Sequence, residues 1–218
     1  MFRMLFFISL LFSAYCKAEL LCPSCSQKLL TENELGNNIR RLWIIKNEIF
    51  AIHGHQFNHP DLQDYFENQD WYQPKPGEVS LSEIEKQNVT LLDKKIKSLN
   101  KARQAIIEEL NALKQTPSSE LSSRWNIDFP EGTQVDFLAL LQHLDLSAFR
   151  NEFYTVRIDD GVLEKRFHVL IEGEKVILSY HEQTSEQEPW KEYDEWLIQW
   201  NFKLENDKLI FEKVEIAG

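Results

Sequence analysis

The sequence predicts an α+β protein: a helical N-terminal unit with a long third helix, then a C-terminal antiparallel β-meander packed against a short helix. Three observations predict it. Apolar residues recur at helical intervals through the first half of the chain; from residue 153 onward β-branched and aromatic residues gather in five runs; and turn-forming clusters separate those runs. The segments read as a leader at 1–18, a Cys-x-x-Cys segment at 19–29, a helical unit at 30–115, a linker at 116–124 and an α+β sheet domain at 125–218.

At the N-terminus Arg3 precedes an apolar run over 4–12 broken only by Ser9, and smaller and polar residues then lead to Cys16-Lys17-Ala18. That order is the pattern of a secretory signal peptide, with cleavage expected after Ala18. The run is about half the ~20 apolar residues that a membrane-spanning helix needs. The expected location is therefore the periplasm or the extracellular space. Lipid attachment at Cys16 is the alternative, and Tyr15 argues against it, because a lipoprotein site wants a small residue before its cysteine.

Cleavage would remove Arg3 and Lys17 and no acid, so the 24 basic residues become 22 against 35 acidic ones, a net charge of −13. Such an excess repels phosphate backbones, and no basic patch with interleaved aromatics offsets it, which excludes nucleic acid as a partner class. Two cysteines, Cys22 and Cys25, would then remain in an oxidising compartment, where a local disulfide is the expectation. A redox reading would need a preceding strand and a helix N-terminus, and a zinc knuckle would need two more ligands. Neither is apparent, and no metal or cofactor is expected.

Thr31 and Glu34 have capping-box spacing, and Leu35, Ile39, Leu42, Ile45 and Ile49 follow at helical intervals until Gly54, a C-terminal cap. A second, short helix begins near Pro60 and turns Leu62, Tyr65 and Phe66 inward. The stretch Gln73-Pro74-Lys75-Pro76-Gly77 ends it. Residues 82–115 read as one helix with Val89, Leu92, Ile96, Leu99, Ile106, Leu110 and Leu113 on an a/d pattern that Arg103 interrupts. That stripe suits either a homodimer seam or packing within the chain. Pro117 and four serines mark the linker that follows.

Phe137, Leu138, Leu141 and Leu144 then suggest a short helix. Strands are expected over 153–158, 162–171, 175–180, 195–204 and 209–216. Asp159-Asp160-Gly161, Glu172-Gly173-Glu174 and Glu205-Asn206-Asp207 supply turn chemistry, and such short connections imply an antiparallel meander.

The densest run of chemically distinctive residues lies between the first and third helices. It comprises Asn47-Glu48-Ile49-Phe50-Ala51-Ile52-His53-Gly54-His55-Gln56-Phe57, then Tyr65-Phe66, Trp71-Tyr72 and, after Ser82, Glu85 and Asn88. In this order and spacing it resembles the YARHG domain, a module of bacterial exported and surface proteins, over about residues 30–92. The naming motif falls on residues 50–54, where Phe50 replaces the family's Tyr and Ile52 its Arg. The first change deletes a hydroxyl donor; the second deletes a cation able to hold a carboxylate. The resemblance implies an exported helical module with no established enzymatic activity.

Within that run His53, His55 and His59 could supply three imidazoles to zinc or copper, but a helix end and a loop need not aim them together. The plainer reading has His53 meeting a terminal carbonyl or the Trp71-Tyr72 layer, with the other two at the surface. Phe57, Tyr65, Phe66, Trp71 and Tyr72 suit either a ligand platform or the core that so small a unit needs. Glu85 and Asn88, one turn apart, read as partners for backbone groups.

Elsewhere there is no Gly-x-Ser-x-Gly, no His-Glu-x-x-His and no glycine-rich phosphate loop. The acid-rich strip at 182–195 reads as a solvated loop. Three functions follow. The leading one is a non-enzymatic exported binding protein for an envelope component or another protein, with His53, Tyr65, Trp71, Tyr72 and Glu85 as candidate ligand contacts. The alternatives are a periplasmic inhibitor or immunity protein using an acidic surface, and an envelope hydrolase with His53 as general base.

Overall fold

A computed structural model describes residues 19–146, 153–184 and 195–218. The expected leader at 1–18 and most of the acid-rich strip lie outside the described residues. The chain is α+β, with helices followed by a five-stranded antiparallel sheet.

The capping box at Thr31 and Glu34 forms, but it opens a 3-10 turn at Glu32–Glu34 instead of the first helix. Gly36 then takes a left-handed conformation at φ 65°, which ends that turn. Helix α1, Ile39–Ala51, starts afresh under Asn38, whose side chain accepts from the Arg41 N–H at 2.7 Å. Helix α2, Pro60–Glu67, places Pro60 in its first turn, as its missing N–H favours. Helix α3, Glu83–Lys114, is 32 residues long and opens with a second capping box, Ser82 with Glu85.

The apolar stripe of α3 is buried within its own chain. Leu92 and Leu99 pack against Leu42, Ile45 and Ile49 of α1, while Ile106, Leu110 and Leu113 enter the core beneath the sheet. Leu92, Ile106 and Leu113 have no exposed surface at all. A homodimer seam on this stripe would compete with packing the chain already makes, because a knob sunk in one core has no face left for another. The residues read as a linker, 116–124, are also helical: a 3-10 turn at Ser118–Glu120 leads into α4, Leu121–Trp125. The serines misled there, because Leu121 is fully buried in the sheet core and the Trp125 indole donates to Thr116 Oγ1 at 3.0 Å.

Helix α5, Thr133–His143, covers one face of the sheet, with the Phe137 ring 4.9 Å from Trp200 and His143 stacked 4.7 Å from Phe167. The strands are β1 Phe153–Asp159, β2 Leu163–Glu172, β3 Lys175–Thr184, β4 Glu195–Glu205 and β5 Lys208–Ala217, in the order β1-β2-β3-β4-β5. Phe167, Val169, Val176, Leu178, Ile198 and Trp200 alternate onto the covered face, as a period of two requires. Glu109 of α3 ties helix to sheet, accepting from the Leu209 N–H at 3.2 Å and pairing with Lys208 at 2.8 Å.

Candidate functional site

The N-terminal segment has few backbone partners of its own, and two buried polar side chains from the helices, Glu48 and Asn88, supply them. Glu48 on α1 accepts from the N–H groups of Leu21 at 2.8 Å and Cys22 at 2.9 Å. Asn88 on α3 accepts from the Leu30 N–H at 2.9 Å and donates to the carbonyls of Cys25 at 2.7 Å and Lys28 at 2.9 Å. Between these anchors Cys22 and Cys25 are joined by a disulfide, and Cys25 is buried. A buried amide or carboxylate is stable only when its lone pairs and protons find partners, and this segment provides them. Burial pushes the Glu48 carboxyl above its ordinary range, against the opposing pull of its two backbone N–H partners.

Glu85 performs two tasks. One oxygen accepts from the Ser82 N–H at 2.8 Å, closing the capping box, and the other lies 2.8 Å from His53 Nε2. Burial alone would raise the Glu85 carboxyl, yet the nearby Ser26 hydroxyl and hydrogen bonds from His53 and Ser82 outweigh it and hold it at about 2. His53 thus meets a carboxylate from α3 instead of a terminal carbonyl or the Trp71-Tyr72 layer. It stands just past α1, beside Gly54 at φ 85°, whose carbonyl accepts from the Lys75 N–H at 2.8 Å. A Cβ at Gly54 would lie 2.8 Å from the Gln73 carbonyl oxygen, so close chain approach as well as conformation selects glycine.

The aromatic residues form a separate layer. Phe66 is fully buried, stacked on Phe57 at 4.8 Å, with Tyr65 edge-on at 5.0 Å and Trp71 edge-on at 5.9 Å. Ala51 packs in the same cluster, and the Tyr72 hydroxyl donates to the His55 carbonyl at 2.7 Å. Asn47 donates back to the Trp43 carbonyl at 2.7 Å, one turn earlier on α1. The three histidines point to different neighbours. His55 is half-buried edge-on to Phe57 at 4.8 Å, and His59 lies edge-on to Trp43 at 5.1 Å. Among the described residues no group of three or more His, Cys, Asp or Glu side chains is arranged to hold a metal ion.

The polar anchors, the His-Gly pair and the aromatic layer all fall in one stretch of chain. Residues 18–97 match the YARHG domain. The match extends about a dozen residues before the run read from sequence and so takes in the disulfide segment that Glu48 and Asn88 hold. No curated protein and no solved structure matches the chain. In this YARHG domain Phe50 keeps the aromatic position, its ring 5.9 Å from His55, and Ile52, in place of the arginine, is exposed.

A concavity outside the YARHG domain went unread in the sequence. On the sheet face opposite α5, Phe153, Arg166, His168, Ser179, His181 and Gln199 line a shallow groove of about 310 Å³. The available signal was the outward set of β2 and β3. Position by position it runs Arg166, His168, Leu170 and Ile177, Ser179, His181, a mixture of imidazole, hydroxyl and apolar groups where a solvated face would be charged. No helix in the described residues is long and apolar enough to cross a membrane.

Proposed function

We propose that this is an exported, non-enzymatic binding protein in which the YARHG domain is a stapled platform and the sheet presents the recognition surface. The observation that supports it is the commitment of the domain's buried polar side chains to its own structure. Glu48, Glu85 and Asn88 are each at most 3% exposed and spend their polar atoms on the N-terminal segment, on a helix cap and on His53. The N-terminal leader pattern and the YARHG match support export.

The hydrolase reading has one observation in its favour, since a carboxylate 2.8 Å from an imidazole is also how a general base is oriented. One experiment separates the two. Purified protein is incubated with peptidoglycan fragments and peptides, and products are sought by mass spectrometry. The binding reading expects none; turnover abolished by His53→Ala would replace it with the hydrolase. The acidic-inhibitor reading draws on the net charge of −11 for the full chain and expects association with a cationic enzyme that weakens steeply with salt.

A further inference from the structure

The groove on the sheet face opposite α5 is lined by groups whose pairing narrows its ligand chemistry. Its fixed charges already have partners: Arg166 pairs with Glu164, and the Glu195 carboxylate has His181 Nε2 2.8 Å away. A small ion would have to break one of these pairs to be held. What remains unmatched is hydrogen-bonding capacity. His181 is only 8% exposed, and among the described residues its Nδ1 has no hydrogen-bond partner, a costly state for a buried polar atom. Ser179, 6% exposed, receives only a long 3.4 Å contact from the Gln199 amide, which leaves both groups with capacity to spare. Burial, with His181 and Arg166 nearby, lowers the His168 imidazole below its ordinary range, which favours its uncharged form.

Register places these groups in order. Thr155, His168, Ser179 and Gln199 sit opposite one another across β1 to β4. The Thr155 hydroxyl lies 2.9 Å from His168 Nδ1, and Phe153 stacks on the same imidazole at 5.4 Å. The neighbouring row, Phe153, Leu170 and Ile177, is apolar. A polar row of donors and acceptors thus runs beside an apolar strip with an aromatic edge. A ligand that fits both must be uncharged, must carry groups that donate and accept at once, and must have a flat C–H face. Hydroxyls on a pyranose ring meet all three conditions.

We infer that this groove binds a neutral mono- or disaccharide, its hydroxyls on His181, Ser179 and Gln199 and its ring face on Phe153, Leu170 and Ile177. The groove's volume lies at the small end of the range for small-molecule sites, which suits a short saccharide. The inference rests on the binding-protein reading and gives that reading its ligand class.

The test follows backbone amide resonances of the isotope-labelled full mature chain during titration with cellobiose and with N,N′-diacetylchitobiose. Sorbitol is the control for hydroxyls without a ring face, and 4-phenylbutyrate the control for an acid. At least one disaccharide should shift amides of residues 166–170, 177–181 and 197–199 saturably, and sorbitol should not. His181→Gln and Phe153→Ala should each weaken that binding about tenfold, the latter at an exposed edge position where folding is not at stake. If neither disaccharide moves these amides, or 4-phenylbutyrate alone does, or both variants bind as the parent does, the inference is overturned while the wider binding reading stands. Cleavage of the disaccharide during the titration would uphold the site and overturn the non-enzymatic reading instead.

Discussion

His53 Nε2 and Glu85 Oε1 lie 2.8 Å apart, joining the end of α1 to the first turn of α3 across 32 positions of sequence. The carboxylate of that pair also closes the Ser82 cap, so one buried acid fixes both the start of α3 and its angle to α1. Removing either partner should therefore be felt at both ends. His53→Ala and Glu85→Gln are each expected to cost about 1–3 kcal/mol, and the double variant should cost less than their sum. Chemical denaturation of the four proteins of that cycle measures it; strict additivity would mean that the contact contributes nothing.

The same acid sets a pH dependence. Its folded carboxyl titrates at about 2 against an ordinary 4.5, so its contribution is present above pH 4.5 and is lost as pH falls toward 2. That depression corresponds to about 3 kcal/mol at neutral pH. Glu48 acts in the opposite sense, since its raised carboxyl favours the fold below its ordinary range and opposes it above. Glu85→Gln should flatten the loss of stability between pH 4.5 and 2, and Glu48→Gln should not. Thermal midpoints across that window give the comparison.

Gly54 combines a left-handed φ of 85° with a chain crossing 2.8 Å from where a Cβ would stand. Gly54→Val should cost at least about 2 kcal/mol, the conformational penalty being added to displacement of Gln73. His55→Ala removes a half-buried ring packed on Phe57 and should cost about 1 kcal/mol. Equal midpoints for Gly54→Val and the parent protein would contradict the assignment.

Glu48→Ala would strand the Leu21 and Cys22 amides, and Asn88→Ala would strand the Leu30 N–H and two carbonyls. Each should cost about 1–3 kcal/mol. Hydrogen exchange at residues 21–30 should accelerate in both variants, even with the disulfide intact. Unchanged protection of those amides would show that the cystine alone orders the segment.

Much of this architecture was legible because it rests on local rules. Strand alternation and the Asp-Asp-Gly, Glu-Gly-Glu and Glu-Asn-Asp turns gave β1 to β5 within a few residues of their ends, and Pro60 and Ser82 marked the starts of α2 and α3. The errors came where a local signal had two solutions. A capping box serves a 3-10 turn as well as a helix, so Thr31 misplaced the start of α1, and serines with a proline read as a linker although Leu121 anchors them. The His53–Glu85 pair and the row from Thr155 to Gln199 were invisible for another reason. Their members meet only through tertiary packing or strand register, and no spacing in the sequence encodes that meeting.

Helix α3 contributes Leu92 and Leu99 to one core and Ile106 and Leu110 to the other, with no joint between. It works as a keyed shaft. Because each residue advances an α-helix by about 100°, inserting a single residue near Arg103 would turn the sheet's anchoring side chains by that angle relative to the YARHG domain and unseat one set. Inserting seven would restore the phase to within about 20° and lengthen the shaft by roughly 10 Å. The two halves are thus geared together, and the length of α3 is constrained to change in whole steps of that gear.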